Sequence, residues 1–181
     1  SDLSLIFAYI LFGAILERSG GAQRLAERLL KSFGIDKSPW AIMITGFLVA
    51  IPVFFDVAFI ILVPIVYALQ KRTGKSLFLY AIPLLAGLAI THTFIPPTPG
   101  PIAVAEILGA DLGYVIIFGC IAGLPAAIVA GPLLAKMLSK KMHIETPENM
   151  VTKMEVPENA PSAGTILLII AIPIFLIVCN T

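Results

Sequence analysis

The chain has 181 residues, 59% of them hydrophobic and only 13% charged. Soluble domains average about 25% charged residues, so this composition, with a mean hydropathy of +1.00, excludes an ordinary water-soluble domain. A net charge of +1 offers no basic surface for nucleic acid, and none is expected as a partner.

All 12 Lys and Arg fall in three clusters: Arg18, Arg24, Arg28, Lys31 and Lys37; Lys71, Arg72 and Lys75; Lys136, Lys140, Lys141 and Lys153. The positive-inside rule puts all three in the cytoplasm, and this limits what can lie between them. The expected architecture is an all-α, polytopic membrane bundle containing a re-entrant hairpin and a proline-broken transmembrane helix.

In chain order, residues 1–16 read as the end of an incoming transmembrane helix. The chain opens in one apolar run and stops just after another, without an initiator methionine or a signal-peptide pattern. It therefore reads as a central fragment whose partner is the remainder of the same polypeptide. In residues 17–38, Ala22, Leu25, Ala26, Leu29, Leu30 and Phe33 share one helical face, with Arg24, Glu27, Arg28 and Lys31 opposite. This pattern predicts an amphipathic helix on the cytoplasmic membrane surface, ended near Gly34. A solvated helix packed on other protein is the alternative.

Residues 39–70 carry a single charge, Asp56. One straight helix over 40–70 would be ~46 Å long against a ~30 Å hydrocarbon core, while two full crossings would need ~40 residues. A single crossing would put the second basic cluster on the wrong side. A re-entrant hairpin turning near Ile51, Pro52 and Val53 satisfies both length and charge, with Asp56 close to its tip. Residues 71–76 form a cytoplasmic loop.

Residues 77–108 read as an outgoing helix interrupted at Thr91-His92-Thr93-Phe94-Ile95-Pro96-Pro97-Thr98-Pro99-Gly100-Pro101. Proline lacks the N–H donor and clashes with the preceding turn. A helix broken at membrane depth exposes backbone groups that only protein or a wet cavity can satisfy, and in secondary transporters such breaks form the substrate site. Residues 109–113 make an external turn and 114–135 a returning helix. Its Gly119, Gly123 and Gly131, with Ala122, Ala126, Ala127 and Ala130, offer small surfaces for packing. Residues 136–162 read as a cytoplasmic linker. Residues 163–181 start the next transmembrane helix, which Pro173 is expected to bend.

Asp56 is the foremost chemical candidate, because a carboxylate at membrane depth needs a partner, a cavity or a proton. Its competing role is to cap the second hairpin helix. His92 reads as a cavity-facing donor or proton relay, or as a hydrogen-bonded core residue. Thr91, Thr93 and Thr98 offer hydroxyls to a polar substrate or an ion, unless each merely bonds back to its own helix. Pro52, Pro96, Pro97, Pro99 and Pro101 set the two breaks. The second break leaves a helix N-terminus at Gly100, whose free N–H groups and partial positive charge suit a carboxylate. Cys120 and Cys179 read as apolar fillers. No metal, nucleophile-elbow or phosphate-loop signature is present, so neither an enzyme nor a bound cofactor is expected.

Residues 90–105 (ITHTFIPPTPGPIAVA), 110–113 (ADLG), 19–26 (SGGAQRLA) and 51–69 (IPVFFDVAFIILVPIVYAL) resemble the gluconate:proton symporter (gluconate permease, GntP) family, with matching spacing over most of residues 13–135. Thr98 stands where many relatives have histidine, and Asp56 where several have glutamate. The resemblance implies proton-coupled import of gluconate or a related sugar acid across the bacterial inner membrane by a multi-pass carrier. Asp56 and His92 would take the coupled proton, and Asp56, Thr91, His92, Thr93, Thr98 and Gly100 would hold the substrate. It also implies two inverted halves, as in the wider ion-transporter group. A sodium-coupled carboxylate or D-serine-type carrier, an intramembrane enzyme and a non-transporting sensor or scaffold are the rival readings, and a homo-oligomer is left open.

Overall fold

The computed structural model describes residues 11–179 apart from 12, 17, 148–149 and 151–155, and every regular element among them is helical. Expectations for residues 1–10 lie outside the described residues. A helical stretch at 13–16 leads through Gly20, whose φ of 71° suits glycine, into α1 (Gly21–Phe33). Gly34, also at positive φ, ends α1 and donates its N–H to Leu30 O.

The apolar stripe of α1 is covered by protein. Ala22, Leu25 and Ala26 are fully buried in the main core with Leu16 and Ile166, where α1 meets the three helices defined below as α2, α3 and α8. The two alanines permit this close approach, so the stripe expected to face a membrane surface lies against the bundle. On the opposite face Glu27 pairs with Lys31 (2.9 Å) and Arg24 (3.4 Å). The Lys31 hydrogen bond, aided by the positive charges of Lys31 and Arg24, holds the Glu27 carboxyl below its usual range against the opposing effect of burial.

Two helices follow, α2 (Ser38–Val49) and α3 (Phe55–Thr73), separated by a turn containing Pro52. They make little contact with each other; α2 packs chiefly along α4 (Phe78–Phe94). Glycine explains the pairing. A Cβ on Gly87 would collide with Met43 O, and one on Gly46 would sit 2.9 Å from Leu84 O. The backbones approach where neither side chain intervenes.

After α4 come α5 (Pro99–Leu108) and the unbroken helical run 112–139, made of α6 (Leu112–Ile128), a π-turn (Val129–Leu133) and α7 (Leu134–Ser139). The return helix thus exceeds the expected 114–135 at both ends. Asp111 starts it early by accepting N–H bonds from Gly113 (2.8 Å) and Tyr114 (3.4 Å), which is N-cap chemistry. Pro132 cannot donate to a regular turn, and the π-turn around it absorbs the misfit. Gly119 and Gly123 lie against Phe94 and Ile90, and Gly131 against Ala86 and Pro83, so the glycine stripe is the contact with α4. Ala127 shares it, whereas Ala122 and Ala130 face outward. The runs 78–108 and 112–139 are long and apolar enough to cross a bilayer.

The segment after α7 is irregular yet tied down. Ser76 Oγ donates to Met142 O (2.9 Å) and accepts from Ile144 N (3.2 Å), Leu77 N donates to Ile144 O (2.7 Å), and Thr146 N donates to Gln70 Oε1 (3.3 Å). The last helix, α8 (Ala163–Cys179), continues through Pro173.

Candidate functional site

A helix end leaves four carbonyls without intrahelical donors, and the two interrupted elements solve this differently. At the end of α2, Gly46 O accepts from Ala50 N (3.0 Å), Leu48 O from Ile51 N (3.3 Å) and Val49 O from Val53 N (3.1 Å). Phe47 O accepts from the Thr91 hydroxyl at 2.9 Å. Thr91 is fully buried, so one side chain of α4 completes the end of α2 and joins the first break to the second.

At the end of α4 the accounting stays open. Thr91 O accepts from Ile95 N (3.0 Å). The Thr98 hydroxyl donates to Ile95 O (2.7 Å) and lies 3.1 Å from His92 O. Pro96 and Pro97, joined by a cis peptide, supply no N–H to His92 O and Thr93 O, and Thr93 O receives no hydrogen bond among the described residues, while Thr98 N turns to Ile95 O (3.4 Å) and Phe94 O packs against Gly119. The freed Thr93 acceptor is a direct product of the double proline.

The chain then re-enters helix at Pro99. Thr98 is the N-cap residue, but its hydroxyl turns back to α4 and caps nothing in α5. Pro99 and Pro101 have no N–H, leaving Gly100 as the one donor among the first three residues of α5. The helix end expected to offer several free N–H groups therefore offers essentially one. Gly100 is exposed, and nothing lies within 4 Å of where its Cβ would be.

His92, Thr93, Phe94 and Gly100, with Val104, Leu108 and Val115, line a half-open cavity of about 540 Å³. His92 Nδ1 is buried and lacks a hydrogen-bond partner among the described residues. Its ring meets Phe54 edge-on, with centroids 6.1 Å apart and planes at 61°, which brings the turn after α2 beside the end of α4.

Three of the six candidate site residues, His92, Thr93 and Gly100, meet at this cavity. Thr91 and Thr98 are buried in structural hydrogen bonds. Thr93 Oγ1 donates to Ala89 O (2.7 Å), the back-bonding alternative, and retains lone pairs to accept. Asp56 is exposed in the first turn of α3 and does not line the cavity. The α3 N-cap residue is Phe54 and has no side-chain cap bond, so Asp56 acts there through its charge near the positive helix end. Pro52, Pro96 and Pro101 are buried, Pro97 is half-buried and Pro99 exposed. No cluster of three His, Cys, Asp or Glu converges among the described residues.

A family profile described as GntP family permease matches residues 2–181. The chain belongs to the GntP permease family. It is 38% identical to a gluconate permease of Pseudomonas aeruginosa over 94% of its length, covering 39% of that protein. It is 39% identical to the Gnt-II system L-idonate transporter of Escherichia coli K12 over 76% of its length, covering 32% of that protein. With the high-affinity gluconate transporter of the same strain it shares 35% identity over 97% of its length and 40% of the relative. The chain thus spans about two-fifths of the curated GntP relatives it matches over most of its length. No solved structure matches it. Membership in a family of permeases sets aside the intramembrane-enzyme reading.

Within this GntP chain, sequence reasoning overlooked Phe54, the Phe47 carbonyl and the Asp111 cap. Asp111 was legible as an Asp immediately before an apolar run. Phe54 and Phe47 O had no signal, because their roles arise only from contact between helices.

Proposed function

We propose that the whole protein is a proton-coupled symporter importing gluconate or a related sugar acid across the bacterial inner membrane. This chain would supply one re-entrant hairpin, α2 with α3, and the broken helix, α4 with α5. One observation carries the reading: the double-proline break leaves Thr93 O as a free acceptor beside His92, with Gly100 on the same cavity. A polyhydroxylated acid has matching chemistry. One of its hydroxyls donates to the freed Thr93 carbonyl, and its carboxylate takes the Gly100 donor and the positive end of α5. His92 Nδ1, buried without a partner among the described residues, and Asp56, on the preceding helix α3, take the coupled proton. The relatives named for gluconate and L-idonate support this substrate class.

Freed carbonyls at a helix break also coordinate sodium in other carriers, so sodium coupling is the second reading. Full-length protein in proteoliposomes, with proton and sodium gradients imposed separately, separates the two. Gluconate accumulation is expected with an inward proton gradient alone. Asp56→Asn is expected to abolish accumulation while preserving counterflow exchange. Uptake driven by sodium alone would overturn proton coupling.

A further inference from the structure

The basic end of the return helix carries a second concavity, remote in sequence from the broken helix. Lys136, Lys140 and Lys141 surround a shallow groove of about 340 Å³ together with Leu133 and Met137. Lys136 and Lys140 are one helical turn apart, as are Leu133 and Met137, so ammonium groups and apolar side chains form adjacent rows. Leu133 and Met137 are 50% and 53% exposed. The ion pairs among the described residues are Arg24–Glu27, Lys31–Glu27 and His143–Glu145, and none involves these lysines.

Position along the helix identifies what would satisfy them. From Tyr114, exposed at one end, to Lys136 the run rises ~33 Å, close to the ~30 Å hydrocarbon thickness. With the aromatic ring at one interface, the lysines reach the headgroup layer at the other, Leu133 lying about one turn deeper than Lys136 and Met137 about one turn deeper than Lys141. Three unpaired cations over an apolar step match a phosphate attached to a hydrocarbon tail better than a free anion, which would leave the apolar row uncovered.

We propose that this groove binds the phosphate headgroup of an anionic phospholipid. The site rests on the chain spanning a bilayer and not on which solute the carrier moves. Each lysine near an anionic surface strengthens attraction about fivefold, so losing all three weakens it on the order of a hundredfold.

The test uses full-length protein in neutral detergent, titrated with phosphatidylglycerol, phosphatidylcholine or inorganic phosphate while the thermal unfolding midpoint is followed. Phosphatidylglycerol is expected to raise the midpoint saturably, and the other two to leave it unchanged. The triple variant Lys136→Gln, Lys140→Gln, Lys141→Gln should need on the order of a hundredfold more lipid. The charge-keeping Lys→Arg triple should respond as the parent does and shows that the groove tolerates substitution. An equal response to phosphatidylcholine, an equal response to inorganic phosphate, or an unchanged titration in the Gln triple would each overturn the proposal. The last result is also what coverage of the groove by the remaining polypeptide would produce.

Discussion

Three threonines a few positions apart do three different things, and only their surroundings separate them. Thr91 Oγ1 serves another helix by donating to Phe47 O, Thr93 Oγ1 serves its own helix through Ala89 O, and Thr98 Oγ1 ties the broken backbone to Ile95 O. Thr91→Val keeps the shape but leaves a buried carbonyl without a donor, at a cost of about 1–3 kcal/mol. Thr93→Val removes an exposed back-bond and should stay within about 0.5 kcal/mol of the parent. Thermal melts of the full-length protein in detergent check the pair, and equal midpoints would show that the Thr91–Phe47 bond contributes nothing. His92 gains its interest the same way: the ring is held against Phe54 while Nδ1 lacks a partner.

Between elements, glycine placement decides which helices touch. Gly87 sits where any Cβ meets Met43 O, while Gly100 sits in open space. Alanine is intrinsically better than glycine in a helix by about 1 kcal/mol. At position 87 that gain is outweighed by an overpacking penalty of roughly 3 kcal/mol, because the obstructing atom is backbone and cannot rotate away. Gly87→Ala should therefore lower the unfolding midpoint, and Gly100→Ala should hold or raise it. A Gly87→Ala protein as stable as the parent would refute the close α2–α4 contact. The same geometry explains why α2 and α3 are a hairpin in connectivity but hardly in packing. Proline 52 breaks the run, and the glycine match with α4 captures the first half.

At the scale of the molecule, the segment after α7 acts as a clasp over the turn between α3 and α4. Ser76 receives and donates one hydrogen bond there, and removing both costs about 1–2 kcal/mol. Ser76→Ala should speed deuterium exchange at the Leu77 and Ile144 amides roughly tenfold, with α2 unaffected. Unchanged exchange at both amides would mean that the tie is not maintained in solution. The clasp joins the end of the return helix to the hairpin and the broken helix.

Composition and charge clustering determined that this chain belongs in a membrane, because apolar runs of this length have no other favourable solvent. The turn at Pro52 and the break at Pro96 and Pro97 were legible because a missing N–H is a local fact, although Pro64, Pro83, Pro125 and Pro173 sit inside helices that continue through them. The amphipathic helix was legible for the same reason, but not what covers its stripe: periodicity reports that a face is apolar without naming its partner, and here the partner is protein. Nor could spacing assign the site. In a linear string Thr91 and Thr98 looked equivalent to Thr93, and Asp56 looked the foremost candidate of all. Tertiary structure alone decided that Thr91 and Thr98 are consumed by backbone carbonyls and that Asp56 stays outside the cavity. Which acceptors remain free depends on what each donor meets across a helix interface, and that is a property of packing.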